Sequence, residues 1–427
     1  MNPIDLDLPP GAEQLYVIAP SGAVNDRARA RRATKLLSRH GFHVTLDPKA
    51  LAVHQQRFAG TDDDRLSAFS RALQAEARNI LAIRGGYGLT RYLPRLDFER
   101  LADSGKKWIG FSDFTAFHLA MLARADALTW AGPALVSHFD ATDPAAIDPT
   151  TLETLADCLA DRLELVGFRC NAGHHGVEAE GILWGGNLAI VCALLGTPFF
   201  PQIEGGILFL EDVGEHPYRI ERMLTQLLHA GVLDRQSAIL LGDFSWKQAE
   251  GDRYDMKQVW KWLATQTKTP VITGLPFGHE PRTLTLPHGA FVGLAVDKRT
   301  CYLVLPHGHA PDDDETGAAP LAAGMQGEPG EADTRRVASA GPSTSQPAKS
   351  GSGTTHEQHD SRGLFNAQAA QAGEKTEAEQ ATSSDREAPS GAGLPTRPAR
   401  RHRRNSWQCW CGQTHEAGGK EGGNTPP

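Results

Sequence analysis

The first third of the chain alternates short apolar runs with longer amphipathic segments, and this alternation restricts the possible folds most strongly. Strands are predicted for the apolar runs at 15–19, 43–46, 80–83, 108–111 and 128–130. Helices are predicted for 26–39 and 61–77, the second with a capped start at Thr61. Repeated strand–helix units of this length predict a parallel sheet with helices on both faces. Ligands are then expected at the carboxyl ends of the strands.

Changes along the chain divide it into four parts. Residues 13–135 carry the α/β pattern, which is typical of a flavodoxin- or Rossmann-like domain, and residues 136–176 form a connecting segment. Residues 177–307 are rich in strand signals and predict a smaller β-rich domain that ends in a hairpin. Residues 308–427 consist mostly of small and polar residues that cannot bury enough surface to offset their ordering entropy, so a disordered tail is predicted.

Charge and cysteine usage limit the class of protein. The net charge of −8 is spread along the chain and argues against nucleic acid as a partner. The first twelve residues lack the basic and apolar regions of a signal peptide, and the apolar runs are too short to span a bilayer. We therefore expect a cytoplasmic protein without a membrane partner. The unpaired spacing of its body cysteines agrees with this location: Cys158, Cys170, Cys192 and Cys301.

The tail contains a Cys-Trp-Cys sequence, Cys409 to Cys411, that could suggest a metal site. Its spacing matches no common zinc module, and only two histidines lie near it. A solvated tail without a metal is the interpretation that its composition favours.

Ser112 lies where the strand at 108–111 meets a helix-like pattern of apolar residues. Gly110 fits the first half of the nucleophile elbow Gly-x-Ser-x-Gly, but Phe114 stands in place of the second glycine. A serine on such a turn presents its hydroxyl at the carboxyl edge of the sheet, and the first amides of the next helix point the same way. An ordinary N-cap is the alternative interpretation, because serine is a preferred capping residue. The local sequence leaves both open.

A glycine-rich loop, Arg84 to Gly88, follows the strand at 80–83 and is expected at the same edge as Ser112. Its glycines allow the backbone to approach a ligand closely. The N–H groups of Gly86 and Asp113 would then form a two-donor oxyanion hole. A glycine turn without a ligand is the alternative.

Two residues of the second half would complete a catalytic set. Glu211 ends an otherwise apolar strand, and His279 follows a stretch of Leu, Pro, Phe and Gly. If the second domain faces the carboxyl edge of the first sheet, Ser112, Glu211 and His279 could act as nucleophile, orienting carboxylate and base. The alternatives are a structural or exposed histidine and a carboxylate near a helix N-terminus.

Several motifs together resemble the LD-carboxypeptidase family of serine peptidases. The similarity runs in order from Val17 to about Leu305 and leaves out the tail from Ala310. The motifs are Arg84 to Gly88, Ile109 to Ala116, Trp130 to Pro133, Leu183 to Leu188, Leu208 to Asp212 with Pro217 to Ile220, and Pro276 to His279.

The resemblance implies a function and a site. It implies Ser112 as nucleophile, His279 as base and Glu211 as its partner, with the Gly86 and Asp113 amides as the oxyanion hole. It also implies release of terminal D-Ala from murein tetrapeptide, at the L-centre of a meso-diaminopimelate or Lys residue, by a homodimer that uses no metal or cofactor.

Substrate binding is assigned to residues in or near the same motifs. Arginine suits the bidentate binding of the substrate carboxylates. The candidates are Arg84, Tyr87, Trp184 and Asn187, with Arg219, Arg222 and Arg282 as further arginines near the loops. The sequence does not show which arginine binds substrate, and a surface salt bridge is the alternative for each.

Two other functions remain open. Members of the resembled family that hydrolyse a peptidyl-nucleotide antibiotic share the triad, and the sequence does not separate the two substrates. A non-catalytic muropeptide-binding module is the second alternative. It would be favoured by the loss of Ser112, Glu211 or His279, all of which are present.

Overall fold

The first sheet confirms the predicted parallel arrangement. The computed structural model describes residues 6–143, 147–246, 253–305, 406–408 and 414–416. The five parallel strands of the first sheet pair in the order β5-β4-β3-β1-β2. Because the order changes direction between β1 and β3, the loops after these two strands diverge and leave a crevice at the carboxyl edge. The strands are β1 Gln14–Ile18, β2 His43–Leu46, β3 Asn79–Ala82, β4 Lys107–Gly110 and β5 Thr129–Ala131.

The helices of this half begin where side chains can cap them. The Asp26 side chain accepts the Ala28 N–H, and Thr61 forms a reciprocal capping box with Asp64. The second helix ends before the predicted Ala77 because Ala75 is extended, with ψ of 146°. The helices are α1 Arg27–Arg39, α2 Asp62–Gln74, α3 Phe98–Asp103, α4 Thr115–Ala125, α5 Leu135–His138 and α6 Pro149–Leu159.

The second half supplies a mixed sheet. Its helices are α7 Leu188–Leu194, α8 Pro217–His229 and α9 Met256–Gln266. Its strands are β6 Leu165–Arg169, β7 Glu178–Asn187, β8 Ile207–Val213, β9 Ala238–Ser245, β10 Val271–Thr273, β11 Leu286–His288, β12 Phe291–Asp297 and β13 Thr300–Val304. All but β11 form a sheet in the order β10-β9-β8-β7-β12-β13-β6, in which β7 to β10 are parallel. The strand β6 lies within residues 136–176, the predicted connecting segment, and pairs with β13 of the second sheet.

The strand β11 was not predicted, and it crosses between the two halves. It pairs antiparallel with β5 and forms the edge of the first sheet. Pro287 at its centre argues against a strand in sequence reasoning, because proline cannot donate to a ladder. An edge position tolerates this missing donor.

A shared apolar core joins the two sheets. The rings of Phe69 and Phe117 lie 5.6 and 5.5 Å from Trp108 at its first-sheet side. Trp184 and Leu208 of the second sheet belong to the same buried cluster. Their packing fixes the carboxyl ends of β4 and β8 relative to each other.

Two short strands are described in the tail. They are β14 Ser406–Gln408 and β15 Thr414–Glu416, which pair antiparallel and which composition did not predict. The rest of the predicted disordered tail, with Cys409 and Cys411, lies outside the described residues, so that prediction stays a prediction.

Candidate active site

Ser112 lies on a sharp turn between β4 and α4. Its φ of 62° is in the left-handed region, which strains a residue that carries a Cβ. Gly110 makes the turn feasible, because a Cβ there would lie 2.6 Å from the Phe114 ring. The helix α4 has Phe114 at its N-cap position and no side-chain capping bond. The geometry therefore supports the nucleophile elbow and excludes the N-cap interpretation.

The structure brings Ser112 together with His279 and Glu211. Nε2 of His279 lies 3.1 Å from Oγ of Ser112, and Nδ1 of His279 lies 2.8 Å from Oε2 of Glu211. Gly278, with φ of 150°, lets the chain pass close to β9, because a Cβ there would lie 2.9 Å from Cβ of Asp243. All three predicted catalytic residues thus form one hydrogen-bonded row.

Glu211 is fully buried and is held from both sides. Nδ2 of Asn187 donates to Oε1 of Glu211 at 3.1 Å and to Oδ1 of Asp212 at 3.2 Å. Since Oε2 faces His279, both oxygens of Glu211 have partners. Burial, and next the charge of Glu211, raise the pKa of Asp212 to about 6. Asn187, expected to contact substrate, is buried and donates to Glu211. Its contact with substrate stays a prediction.

The glycine loop lies directly against the serine. A Cβ on Gly85 would lie 2.5 Å from Cβ of Ser112, so glycine is required for this approach. The Gly22 N–H donates to the Gly85 carbonyl at 3.2 Å. Because the C=O and N–H of a trans peptide point in opposite directions, the Gly86 N–H points away from Gly22.

A cavity of about 140 Å³ opens in front of Ser112 and His279, and Arg84 lines it. The Arg84 guanidinium donates to the Ala23 carbonyl at 3.0 Å, and no carboxylate among the described residues forms an ion pair with it. Burial, followed by the charge of neighbouring arginines, lowers the pKa of Arg84. Arg29 also lines the cavity, but it pairs with Asp140 at 2.6 Å.

The other predicted substrate residues have different surroundings. Tyr87 is 49 % exposed, and its ring lies 6.0 Å from that of Phe58. Trp184 is 1 % exposed and donates to Oε1 of Gln236 at 2.9 Å, so it lies in the core that the two sheets share. Its contact with substrate stays a prediction. Two further candidate arginines form ion pairs, Arg219 with Glu215 and Arg282 with Asp148.

Three residues of the site were missed by sequence reasoning. Arg29 belongs to an arginine-rich helix that resembles a solvated surface. The Phe111 ring lies 4.7 Å from His279 and 4.9 Å from His138. Desolvation lowers the pKa of His138 to about 4. Arg29 and His138 lie outside the motifs, and Phe111 lies in one that does not show which ring it contacts, since each contact depends on the packing of distant loops.

In the described parts of the chain, no group of three His, Cys, Asp or Glu side chains is placed to hold a metal ion. In the same residues, no helix combines the length and apolar character needed to cross a bilayer.

A strained serine at the carboxyl edge of a parallel sheet, hydrogen-bonded to a histidine that pairs with a buried carboxylate, is the arrangement found in hydrolases with a nucleophile–base–carboxylate triad. Comparison with known proteins narrows this class. Residues 15–132 match the LD-carboxypeptidase N-terminal domain, and residues 180–294 match the LD-carboxypeptidase C-terminal domain. The chain belongs to the LD-carboxypeptidase family and is a peptidase.

Individual relatives agree with this family. A solved muramoyltetrapeptide carboxypeptidase from Oxalobacter formigenes is 38 % identical with a TM-score of 0.62, over 68 % of this chain and 98 % of that one. The murein tetrapeptide carboxypeptidase of Pseudomonas aeruginosa is 30 % identical over 65 % of this chain and 91 % of its own length. The microcin C7 self-immunity protein of Escherichia coli is 27 % identical over 64 % of this chain and 87 % of its own length.

Proposed function

We propose that the protein is a serine LD-carboxypeptidase that releases the terminal D-Ala of murein tetrapeptides in the cytoplasm, as a step of peptidoglycan recycling. The observation that carries the proposal is the hydrogen-bonded row from Ser112 through His279 to Glu211, with a cavity in front of the serine. The names of the Pseudomonas and Oxalobacter relatives supply the substrate.

In the acylation step, Nε2 of His279 takes the Ser112 hydroxyl proton while Oγ bonds to the carbonyl carbon of the diaminopimelate or Lys residue. Glu211 accepts a hydrogen bond from Nδ1 and stabilises the imidazolium that forms. Collapse of the tetrahedral intermediate breaks the bond to D-Ala, and His279 protonates the leaving amine. Water activated by His279 then hydrolyses the ester and restores Ser112.

The oxyanion of the intermediate needs two donors, and the amides of Gly86 and Asp113 are the proposed pair. The orientation of the peptide between Gly85 and Gly86, and the close approach of Gly85 to Ser112, support this assignment. Removal of one such donor typically lowers kcat by about 10²–10³-fold.

Arg84 is the proposed contact for the terminal carboxylate that a carboxypeptidase must recognise. Support comes from its place at the cavity and from its lack of a carboxylate partner among the described residues, in contrast to Arg29, Arg219 and Arg282. A homodimer, which the family resemblance implies, is part of the proposal, and sedimentation of the purified protein would test it.

The proposal is tested by digestion of L-Ala-γ-D-Glu-meso-diaminopimelate-D-Ala. Mass spectrometry should show the loss of one alanine, and EDTA should not change the rate. An intact tetrapeptide, or activity abolished by EDTA, would contradict the proposal.

Hydrolysis of a peptidyl-nucleotide is the second candidate, which the similarity to the Escherichia coli self-immunity protein favours. The same digest with a peptidyl-nucleotide distinguishes the two. Cleavage of the nucleotide conjugate with an intact tetrapeptide would favour the second candidate, and binding without turnover of either would favour a muropeptide-binding module.

A further inference from the structure

The carboxylate of Asp113 lies beside the nucleophile but takes no part in the proposed proton transfers. Asp113 is 1 % exposed, and Oδ2 accepts the Leu89 N–H at 3.0 Å. Burial raises its pKa, while the hydrogen bond from the Leu89 N–H and the charge of Arg65 oppose this rise. The carboxylate is thus directed at the end of the glycine loop.

Arg65 contacts the same end of the loop at Gly88 and is also 1 % exposed. Gly88 has φ of 137°, and a Cβ on it would overlap the Arg65 guanidinium. Arg65 is itself fixed, since it pairs with Asp62 and lies 4.8 Å from the centre of the Phe58 ring. The segment Gly88–Leu89 is therefore held between a buried carboxyl group and a buried guanidinium.

We propose that Asp113 is a positioning residue that sets the spacing of the two oxyanion donors. Its backbone N–H is one donor, and its carboxylate anchors the loop that carries the other donor, Gly86. Burial of a carboxylate costs free energy unless the group is hydrogen-bonded and paired. If position 113 had only to fill space, an apolar side chain would make the protein more stable. The inference rests on the proposed serine mechanism.

The rate of reaction with a fluorophosphonate tests the inference without a peptide substrate. Oγ of Ser112 attacks the phosphorus, the P–F bond breaks, fluoride leaves, and the hydroxyl proton passes to Nε2 of His279. The phosphoryl oxygen then occupies the oxyanion position. Since full loss of a donor costs about 10²–10³-fold, a displaced donor in Asp113→Asn should slow labelling of Ser112 by about 10- to 100-fold.

Asp47→Asn is the matched control. Asp47 is a second buried carboxylate at the end of a first-sheet strand, and it accepts from the Tyr16 hydroxyl at 2.9 Å and pairs with Arg71 at 2.6 Å. It lies outside the cavity that Ser112 lines. Asp47→Asn should lower the melting temperature and leave the labelling rate unchanged.

Equal labelling rates for Asp113→Asn and the wild type would overturn the inference. So would slower labelling in both variants in proportion to their loss of stability, because the role would then be structural. If Asp113→Asn does not fold, Asp113→Ser decides, since it also removes the carboxylate that accepts the Leu89 N–H, and an unchanged rate in it overturns the inference. A wild-type protein that is not labelled at Ser112 contradicts the proposed function instead.

Discussion

The backbone of Ser112 holds its left-handed conformation because the turn is closed by close contacts on both sides. Gly85 lies against its Cβ, and Gly110 lies under the Phe114 ring. Strain of about 1–3 kcal/mol at such a residue persists only where the surroundings determine it fully. Here the turn directs Oγ at His279 rather than into the amides of α4.

Substitution of Glu211 by Gln tests the role of the buried carboxylate. The variant keeps the shape and the contact with Asn187 but loses the charge that stabilises the imidazolium. We expect kcat for D-Ala release to fall severely while staying measurable. Adding Glu211→Gln to Ser112→Ala should have little further effect, because residues of a triad act as a unit. Additive losses in the double variant would contradict a shared pathway.

Substitution of Arg84 by Gln tests recognition of the terminal carboxylate. A hydrogen bond to a charged group is worth about 1.5–3 kcal/mol, so kcat/KM for a peptide with a free terminus should fall by about 10- to 100-fold. Turnover of the same peptide with an amidated terminus should stay near its wild-type level. Arg282→Gln is the control, because Arg282 already pairs with Asp148 at 2.9 Å. Equal losses on both peptides would show that Arg84 supports the loop instead.

At the scale of elements, local signals predicted the strands and caps well. The capping box at Thr61 and the turn at Gly41, with φ of 88°, act in the structure as their residue types indicate. The strand β11 escaped prediction because its pairing with β5 depends on a long-range contact that outweighs the preference of Pro287. The burial of Trp184 could not be predicted, because a motif residue in the core and one facing a ligand have the same sequence signal.

The contact between α4 and β11 contains two buried histidines. The rings of His118 and His288 stack 5.3 Å apart. Nε2 of His118 donates to the Gly110 carbonyl at 2.9 Å, and Nδ1 accepts from the Thr129 hydroxyl at 2.8 Å. Burial lowers the pKa of His118 to about 4 and that of His288 well below its usual value. Both rings are therefore neutral in the folded protein.

The buried, neutral His118 should make the free energy of unfolding decrease as the pH falls below 6.5. The unfolded chain takes up a proton near pH 6.5 and the folded protein near pH 4, so stability present above pH 6.5 is lost as the pH falls between these values. The free energy of unfolding of the wild type, minus that of His118→Gln, should fall by about 1.4 kcal/mol per pH unit in this interval. Denaturant titrations at several pH values measure this difference.

The wild type must be compared with His118→Gln because the titration of other groups changes the free energy of unfolding in the opposite direction. Burial raises the pKa values of Asp212 and Asp243 to about 6, so the folded protein takes up these protons first and gains stability on acidification. Their contribution is common to both proteins and cancels. A difference that stays constant with pH would contradict the assignment to His118.

At the scale of the whole molecule, the site exists only because two sheets share one core. Ser112 comes from the first sheet and Glu211 from the second, and sequence reasoning could join them only on the condition that the two halves face each other. Packing of Trp108 with Trp184 and Leu208 in one cluster meets that condition. No local pattern encodes this relation, which explains why Arg29, Phe111 and His138 were missed.

The low apolar content of residues 310–427 predicts that they add nothing to the core. A chain that ends at His309 should fold and keep the kcat/KM of the full protein. Its melting temperature should match that of the full-length protein, whose tail outside β14 and β15 should give sharp random-coil amide signals. A truncated protein that is insoluble or inactive would contradict this prediction and reopen the question of Cys409 and Cys411.

The central claim is covalent catalysis by Ser112, and kcat/KM for D-Ala release by Ser112→Ala tests it most directly. The variant lacks the nucleophile, so activity should fall by about 10⁴-fold or more while the melting temperature shows a folded protein. Ser137→Ala, which removes another hydroxyl from the same cavity, is the matched control and should retain nearly full activity. If folded Ser112→Ala kept more than about a tenth of the activity, the acyl-enzyme mechanism would be wrong.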